Sequence, residues 1–283
     1  MNNKKLLIIF LIITISFSLK GCSSVSLNNE IKADNLLKIH YIDVGQGDSI
    51  LISINGKNML IDSGSAVKEE YIVKYLKKQG IKKLHHVIAT HPHEDHIGSM
   101  SSIISNFNVE NFYAPKITSS TNYFNNMIDE LMKKGLKIQV ASSGKKIQLY
   151  DNVICEIIAP NSTTYENTNN YSVVLKLTYG KCSFIFTGDA EAISENEMLS
   201  NNTNLKCDVL KLGHHGSSTS TTDSFLEKAS PKIAIISCGK NNPFRHPSKK
   251  TIGKIKSKDM QVYRTDIDGD IVLLSNGSFI KKQ

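Results

Sequence analysis

A cluster of potential metal ligands directly after an apolar run is the feature that most constrains this sequence. His91, His93, Asp95 and His96 fall within six residues. The preceding run 87–90 is short and rich in β-branched residues, which predicts a buried strand. A loop at the end of a core strand is held by a rigid scaffold yet open to solvent. Three imidazoles and a carboxylate suit zinc or manganese better than calcium or magnesium. The alternative is a surface turn that is simply rich in histidine.

The spacing of these residues predicts two adjacent ions. His91 and His93 lie two apart, so in extended backbone they project to the same side and can bind one ion. Asp95 and His96 follow on a turn that can present them to a second ion about 3.5–4 Å away. Asp189 and His214, each at a predicted strand end, are candidates for a bridging carboxylate and a further ligand. The alternatives are a helix N-cap for Asp189 and a polar strand end for His214.

The two halves of the chain repeat one pattern. Each begins with predicted hairpin strands, the first turning at Asn55-Gly56 and the second at Tyr179-Gly180-Lys181. Each then has a strand that ends in a carboxylate (Asp62, Asp189), a helix, and a strand that ends in histidines. This order predicts two packed α/β halves that meet at a shared site. Apolar periodicity predicts helices over residues 69–79, 98–107, 123–134, 191–200, 223–229 and 248–256.

The N-terminal segment predicts export. Lys4-Lys5 precede an apolar run over residues 6–17, and Gly21-Cys22 follow, a pattern that resembles a lipoprotein signal. We therefore expect a signal peptide over 1–21, lipidation of Cys22, a polar tether over 22–35 and one hydrolase domain over 36–283. The protein would be an extracytoplasmic membrane lipoprotein or a secreted protein. An uncleaved anchor is the alternative, although the run is short for a membrane span.

Charge and cysteine content constrain the function only weakly. The net charge of +8 comes almost entirely from lysine, which permits an anionic substrate such as DNA and also describes an ordinary solvated surface. The four cysteines of the predicted domain lack C-x-x-C spacing and are expected to be core residues. No cysteine lies in a loop beside a histidine, and no Asp–His relay precedes Ser217, so a cysteine or serine hydrolase is disfavoured.

Taken together, the motifs resemble the metallo-β-lactamase fold superfamily. More narrowly they resemble the C-terminal hydrolase domain of the competence protein ComEC and its stand-alone relatives. The matching segments are Asp43-Val-Gly-Gln-Gly-Asp-Ser49, the cluster at 91–98, Thr187-Gly-Asp-Ala-Glu191, Leu210-Lys-Leu-Gly-His-His-Gly-Ser217 and His246-Pro247.

The resemblance implies a fold, a reaction class and roles for residues. The fold would be an α/β (α+β) αββα sandwich of two mixed β-sheets flanked by helices. The enzyme would be a metal-dependent hydrolase, most simply a phosphodiesterase or nuclease, that uses a metal-bound hydroxide and two divalent ions, zinc or else manganese. His91 and His93 would bind one ion, and Asp189 would bridge to a second ion held by the remaining ligands, Asp95, His96 and His214.

Other residues would support this centre or act on the substrate. Asp62 would hold ligand geometry by hydrogen bonds. Asp95, His215 and His246 are the candidate catalytic residues, the two histidines as groups that protonate a leaving oxygen or bind phosphate, with a structural role as the alternative. Gln46 and Asp48 of the Gly-Gln-Gly turn would contact substrate or support the ligands.

One departure from the superfamily concerns the first ion. Many members have a third histidine for it, but this chain has no histidine from residue 97 to 213. Asn170 and Ser172 fall in that segment, and Asn170 could orient a water or the substrate instead. We therefore expect the first ion to be weakly held.

The substrate and the partners stay open at this level. A choline ester of teichoic acid, a lactone or a β-lactam is an alternative to a phosphodiester, although the Gly-Gln-Gly turn and the absent histidine disfavour an ordinary β-lactamase. A non-catalytic DNA-binding surface module is a further alternative. The expected partners are an anionic substrate, DNA among them, and the membrane through the lipid anchor. The oligomeric state is undetermined.

Overall fold

The computed structural model describes residues 35–283. The predicted signal peptide over 1–21, its lipidation site Cys22 and nearly all of the tether therefore lie outside the described residues. Among the residues described, no helix has the length and apolar character needed to cross a membrane.

The described chain forms fifteen strands and eight helices. The strands are β1 (Leu37–Tyr41), β2 (Ile50–Ile54), β3 (Lys57–Ile61), β4 (Lys83–Ile88), β5 (Asn108–Ala114), β6 (Ile138–Val140), β7 (Lys146–Tyr150), β8 (Val153–Ala159), β9 (Val174–Tyr179), β10 (Cys182–Phe186), β11 (Val209–Lys211), β12 (Ile233–Ile236), β13 (Gln261–Arg264), β14 (Ile271–Ser275) and β15 (Ile280–Lys282). The helices are α1 (Glu69–Lys78), α2 (Glu94–Ile97), α3 (Met100–Asn106), α4 (Asn122–Lys133), α5 (Ala192–Ser200), α6 (Asp223–Ala229), α7 (Lys249–Ser257) and α8 (Thr265–Asp268).

The strands form two mixed sheets. The first has the order β15-β14-β1-β2-β3-β4-β5-β6, and the second has the order β13-β12-β11-β10-β9-β8-β7. Strands β3 to β6 run parallel to one another, as do β10 to β13. Asn55 and Gly56 both have positive φ and connect β2 to β3 in the predicted hairpin.

Three apolar clusters define the layers. Alternate residues of strands from both sheets, such as Ile39 and Phe184, fill the space between the sheets. The outer face of the first sheet is covered by α1, α3 and α4, and the outer face of the second is covered by α5, α6 and α7. The predicted αββα sandwich of two mixed sheets is confirmed.

The boundaries of two predicted elements differ. The helix expected over 98–107 is α3, which begins at Met100, and the separate short helix α2 precedes it over Glu94–Ile97. Gly98 lies between the two helices and packs against the backbone of Ala66, where a Cβ atom would clash. The sequence predicts a strand over 111–114, but β5 begins three residues earlier, at Asn108, because Lys83 and Asn108 pair at the start of the parallel ladder.

This topology brings the chemical motifs to one edge. Asp62 follows β3, the histidine cluster follows β4, Asp189 follows β10 and Gly213-His214-His215 follow β11. These strands are central and parallel within their sheets, and the loops after the carboxyl ends of such strands are where α/β proteins place their sites.

Candidate metal centre

The first group of donors comes from the loop between β4 and α2. His91 is buried and His93 is exposed, and the His91 Nε2 atom lies 2.9 Å from His93 Nδ1. Helix α2 begins one residue later and places Asp95 and His96 on its first turn. The loop therefore supplies His91 and His93 as one pair of donors and the first turn of α2 supplies Asp95 and His96 as a second pair, as the two-ion prediction expects.

The Asp189 carboxylate lies between two groups of histidines. Its Oδ1 atom is 3.3 Å from His96 Nε2 and 3.5 Å from His215 Nε2. Its Oδ2 atom is 3.9 Å from His91 Nε2 and 3.8 Å from His214 Nε2. Each oxygen faces a different pair of imidazoles, which is the geometry expected of a carboxylate that bridges two ions.

The donors that face Asp189 Oδ1 fit a divalent ion. Asp95, His96, Asp189 and His215 each offer one ligand atom, and these atoms all lie within 4.8 Å of one another. His96 Nε2 and Asp189 Oδ1 are buried and have no hydrogen-bond partner within residues 35–283. Buried polar atoms are normally paired, so these two atoms are placed to bind a cation. An N₂O₂ donor set suits zinc and also admits manganese.

The two adjacent histidines after β11 are placed differently from the sequence prediction. His215, the expected acid or phosphate-binding group, is buried and completes the group formed with Asp95 and His96. His214, the expected ligand for that group, is partly exposed, and its Nδ1 atom is 3.2 Å from Glu191 Oε1. The geometry thus gives His215 the position that was predicted for His214.

Both histidines have left-handed backbone conformations, with φ of 49° at His214 and 54° at His215. Such conformations cost on the order of 1–3 kcal/mol for a residue other than glycine and persist where the surroundings enforce them. They turn two consecutive side chains into the site instead of onto opposite sides of a strand.

Asp62 and Ser172 hold the ligands from behind. Asp62 Oδ2 lies 2.7 Å from His96 Nδ1, and the same carboxylate accepts hydrogen bonds from the Thr90 backbone and hydroxyl groups. Ser172 Oγ lies 3.3 Å from His91 Nδ1 and accepts the Asp189 N–H. Both residues therefore act through a metal-ligand side chain, and Asp62 leaves the Nε2 atom of His96 free for an ion.

The electrostatics of the centre favour cations. Burial alone would lower the pKa of His215, but the carboxylates of Asp189, Asp48 and Asp95 raise it to about 9. Burial likewise opposes charge on His96, whose pKa the neighbouring aspartates nonetheless hold well above its ordinary value. Several buried carboxylates thus create a negative potential, which bound divalent ions would offset.

The comparisons with known proteins identify the family. Residues 42–240 match the metallo-beta-lactamase superfamily. This chain belongs to that superfamily. It is 32% identical to ComE operon protein 3 of Bacillus subtilis (strain 168) over 83% of this chain and 32% of that protein. It is 31% identical to Recombination protein 2 of Haemophilus influenzae over 83% of this chain and 28% of that protein. The chain thus spans about a third of the length of these relatives.

A solved structure shows the same fold. The metallo-beta-lactamase fold protein YhfI from Bacillus subtilis superimposes with a TM-score of 0.57 at 14% identity, covering 85% of this chain and all of that chain. The superfamily implies divalent ions, and the buried donors above fit them.

Within this metallo-β-lactamase-type centre, Lys211 is a residue that the sequence prediction missed. Its side chain is fully buried, with Nζ 2.5 Å from Asp48 Oδ2. Asp48 Oδ1 in turn lies 3.4 Å from His215 Nδ1, which also lies 2.9 Å from the Ser237 carbonyl oxygen. A lysine inside the otherwise apolar run Val209-Leu210-Lys211-Leu212 was the available signal, because an unpaired buried ammonium is strongly disfavoured.

Asn170 does not have the environment expected of a substrate-binding residue. It is buried, and its side-chain oxygen accepts hydrogen bonds from the Glu191 and Ser194 N–H groups at the start of α5. The neighbouring Asn169 reaches the site instead: its Nδ2 atom donates to Glu191 and lies 3.5 Å from His214 Nδ1.

A cleft of about 630 Å³ opens over the metal centre. His93, Asp95, Asp189, His214 and His215 line its floor. Gln46 and His246 line its sides, as do Val67, Pro243 and Phe244. Gln46 Oε1 accepts the Gly239 N–H, so Gln46 also joins the two loops that border the cleft.

Proposed function

We propose that this protein is a metallohydrolase that cleaves phosphodiester bonds with two divalent ions, zinc or manganese. The observation that carries the proposal is the Asp189 carboxylate, whose two oxygens face separate groups of imidazoles. Two ions in such a site supply a nucleophile at neutral pH and offset the charge that develops on a phosphoryl group. The names of the relatives, competence and recombination proteins among them, support an anionic, DNA-related substrate.

The residues of the chain have separate roles in this proposal. His91 and His93 would hold the first ion, and Asp95, His96 and His215 would hold the second. Asp189 would offer one carboxylate oxygen to each group. Asp62, Asp48 and Ser172 fix the orientation of the histidine rings by contacts to their Nδ1 atoms. His214 and His246 face the cleft and contact the substrate.

The first ion would be the weaker of the two. His91 and His93 supply two nitrogen donors, and no histidine occurs between His96, which belongs to the second group, and His214. His214 Nε2 lies 3.8 Å from the bridging carboxylate but its Nδ1 atom is engaged by Glu191 and Thr219. A site with fewer protein ligands binds its metal less tightly, so occupancy should depend on the metal concentration.

The decisive experiment replaces Asp189 by alanine. Metal content measured by mass spectrometry should fall, and hydrolysis of bis(p-nitrophenyl) phosphate and of single-stranded DNA should be lost. Asp129→Ala, which removes an exposed aspartate on α4, is the matched control and should behave as wild type. An Asp189→Ala protein with unchanged metal content and turnover would contradict the proposal.

A substrate panel separates the alternatives. Nitrocefin and γ-butyrolactone test for β-lactam and lactone hydrolysis beside the phosphodiesters, and p-nitrophenyl phosphorylcholine tests whether a phosphodiester that carries choline is preferred. Turnover of nitrocefin or of the lactone alone would replace the proposed substrate class. DNA retention without turnover of any substrate in metal-loaded protein would indicate a non-catalytic binding module.

We also propose that the protein is exported and attached to the membrane by a lipid on Cys22. The support is the order of Lys4-Lys5, the apolar run over 6–17 and Gly21-Cys22. Labelled palmitate should be incorporated in cells, and Cys22→Ser should abolish both labelling and membrane association. Labelling that persists in the variant would contradict this attachment.

A further inference from the structure

Two apolar side chains stand exposed at the mouth of the cleft. Val67 is 90% exposed and Phe244 is 64% exposed, and both line the same cavity as the metal-centre residues. An exposed aromatic ring beside a charged centre does not contribute to the core. Such a ring is available for a ligand that occupies the cleft.

The Phe244 ring is held in a fixed position. It stacks on the His246 ring with a centroid distance of 5.8 Å and an interplanar angle of 25°. His246 in turn contacts the ring of His214 edge-on, at 5.3 Å. The phenyl ring therefore stacks on the imidazole with an offset, and the three rings form a row along the lining of the cleft.

The loop that carries Phe244 is braced from within. The Asn242 side chain donates to the carbonyl groups of Gly239 and His246 and accepts the His246 N–H. The Gly239 N–H donates to Gln46 and so ties this loop to the opposite side of the cleft. A ring that is ordered before binding loses little conformational entropy when a ligand stacks on it.

Cationic residues lie on the loop that carries the ring and on the lining of the cleft. Lys240 and Arg245 are exposed on the same loop, and Lys68 lines the cleft beside Val67. Lysine and arginine next to an aromatic platform form the arrangement that binds single-stranded nucleic acid, with the cations on phosphates and the ring on a base.

We propose that Phe244, backed by His246, stacks on a nucleobase of a single-stranded nucleic acid whose phosphodiester lies over the metal centre. This inference rests on the proposed function and specifies its substrate. A polyol-phosphate polymer has no aromatic face, so it would gain no stacking from Phe244. The preference for a base-bearing strand thus resides in this ring, and the cationic residues act on any polyanion.

A fluorescence experiment tests stacking without turnover. The chain contains no tryptophan, so Phe244→Trp introduces a single reporter at the platform. Phosphorothioate oligothymidylate, which resists hydrolysis, should quench this tryptophan in the metal-loaded protein. An abasic oligomer of the same length and poly(glycerol phosphate) should bind with little quenching. Equal quenching by the abasic oligomer would overturn the inference, as would quenching by phosphatidylglycerol vesicles alone.

Kinetics give an independent measurement. In Phe244→Ala the KM for oligothymidylate should rise about tenfold relative to the KM for the abasic oligomer, since a stacked base contributes about one such factor or more. Phe244→Tyr should restore the ratio, and Phe244→Leu, which keeps apolar bulk without the π face, should not. Equal effects on both substrates would overturn the inference.

The two arms separate this inference from the proposed function. If DNA hydrolysis does not depend on Phe244, the stacking inference is wrong and the proposed phosphodiesterase activity stands. If quenching depends on the base but no phosphodiester is hydrolysed, the proposed activity is wrong and the stacking inference stands.

Discussion

Lys211 explains how the centre tolerates so many buried carboxylates. Asp48, Asp62 and Asp189 are all buried, and the Lys211 ammonium contacts Asp48 Oδ2, whereas His215 faces Asp48 Oδ1. Burial alone would raise the pKa of Asp48, but Lys211 first and His215 second hold that pKa below its ordinary value. The ionised Asp48 and the Ser237 carbonyl oxygen both face His215 Nδ1. A proton on Nδ1 leaves the Nε2 lone pair for the ion.

Substitution of Lys211 alone should therefore lower the free energy of unfolding more than substitution of both Lys211 and Asp48. We expect Lys211→Met to lower the free energy of unfolding by about 3–5 kcal/mol, because it leaves a buried carboxylate without its counterion. Combining it with Asp48→Asn should recover a large part of that loss. Urea unfolding of both single variants and the double variant measures the coupling. Additive losses in the double variant would show that the two charges do not depend on each other.

Substitutions of the two adjacent histidines, His214 and His215, should have different effects on the metal content of the protein. His215→Ala removes a donor of the group that contains Asp95 and His96, so it should lower metal content by about one ion per chain in the two-metal reading. His214→Ala should retain that ion and change mainly the KM for substrate. Mass spectrometry of the purified variants measures their metal content. Loss of the ion in His214→Ala with retention in His215→Ala would show that His214 is the ligand, as the sequence predicted.

The order of these two histidines could not have been predicted from sequence. His214 was expected as the ligand at the end of its strand and His215 as a group on the substrate, and a strand pattern does not bring two adjacent side chains to one side. Left-handed backbone at two consecutive non-glycine residues is set by tertiary contacts. The cluster at 91–96 could be predicted because its donors are close in sequence and directly follow a short apolar run.

At the level of elements, local patterns predicted strands and hairpins well and missed the contacts between loops. The Asn55-Gly56 hairpin and the strand ends at Asp62 and Asp189 lie where predicted. Asn170 was expected to orient a water or the substrate because it falls in the segment where many superfamily members have a third histidine, yet its side chain caps the start of α5. Such caps join residues about twenty positions apart and leave no periodic signal.

The Gly45-Gln46-Gly47 turn shows an element fixed by close packing. Gly47 has a φ of 132°, and a Cβ atom there would overlap the Asp95 carbonyl oxygen. The Asp48 N–H donates to this same oxygen at 3.2 Å. The turn therefore sets the position of α2, and with it the position of the Asp95 carboxylate.

Gly47→Ala should consequently destabilise the protein and disturb the second ion. We expect a loss of about 1–3 kcal/mol from overpacking together with weaker metal binding. Gly253→Ala is the matched control, since a Cβ on this α7 residue meets nothing within 4 Å. It should stabilise the protein by about 0.4–1 kcal/mol. Thermal unfolding and metal titration of both variants test the pair, and wild-type metal affinity in Gly47→Ala would refute the coupling.

For the whole molecule, the centre is an interface between the two sheets. His91, Asp95 and His96 come from the first sheet, and Asp189 and His215 come from the second. The sequence repeat predicted this meeting, because each half ends its strands in donors. An apolar cluster with members from both sheets fills the space between them.

His40 on β1 gives the whole molecule an acid-sensitive stability away from the metal ligands. The side chain is 4% exposed, and its Nδ1 atom lies 2.9 Å from the Tyr75 hydroxyl. Burial first, and Lys38 second, lower its pKa to about 4. In the unfolded chain the pKa of histidine is about 6.5. Between these two values the unfolded chain binds the proton more strongly than the folded protein does.

Stability should therefore be lost as the pH falls from about 6.5 to about 4, and it is fully present above 6.5. A shift of this size corresponds to at most about 3 kcal/mol. We expect His40→Gln, which keeps a hydrogen-bonding group beside Tyr75, to lower the pH dependence of the unfolding free energy by that amount over this window. Tyr75→Phe is the control: it removes the hydrogen bond but leaves the histidine to titrate, so it should keep the wild-type pH dependence. Urea unfolding at pH 7 and pH 4 measures all three proteins. A wild-type pH dependence in His40→Gln would assign the acid sensitivity to other groups, because a group that no longer titrates cannot bind the proton that favours unfolding.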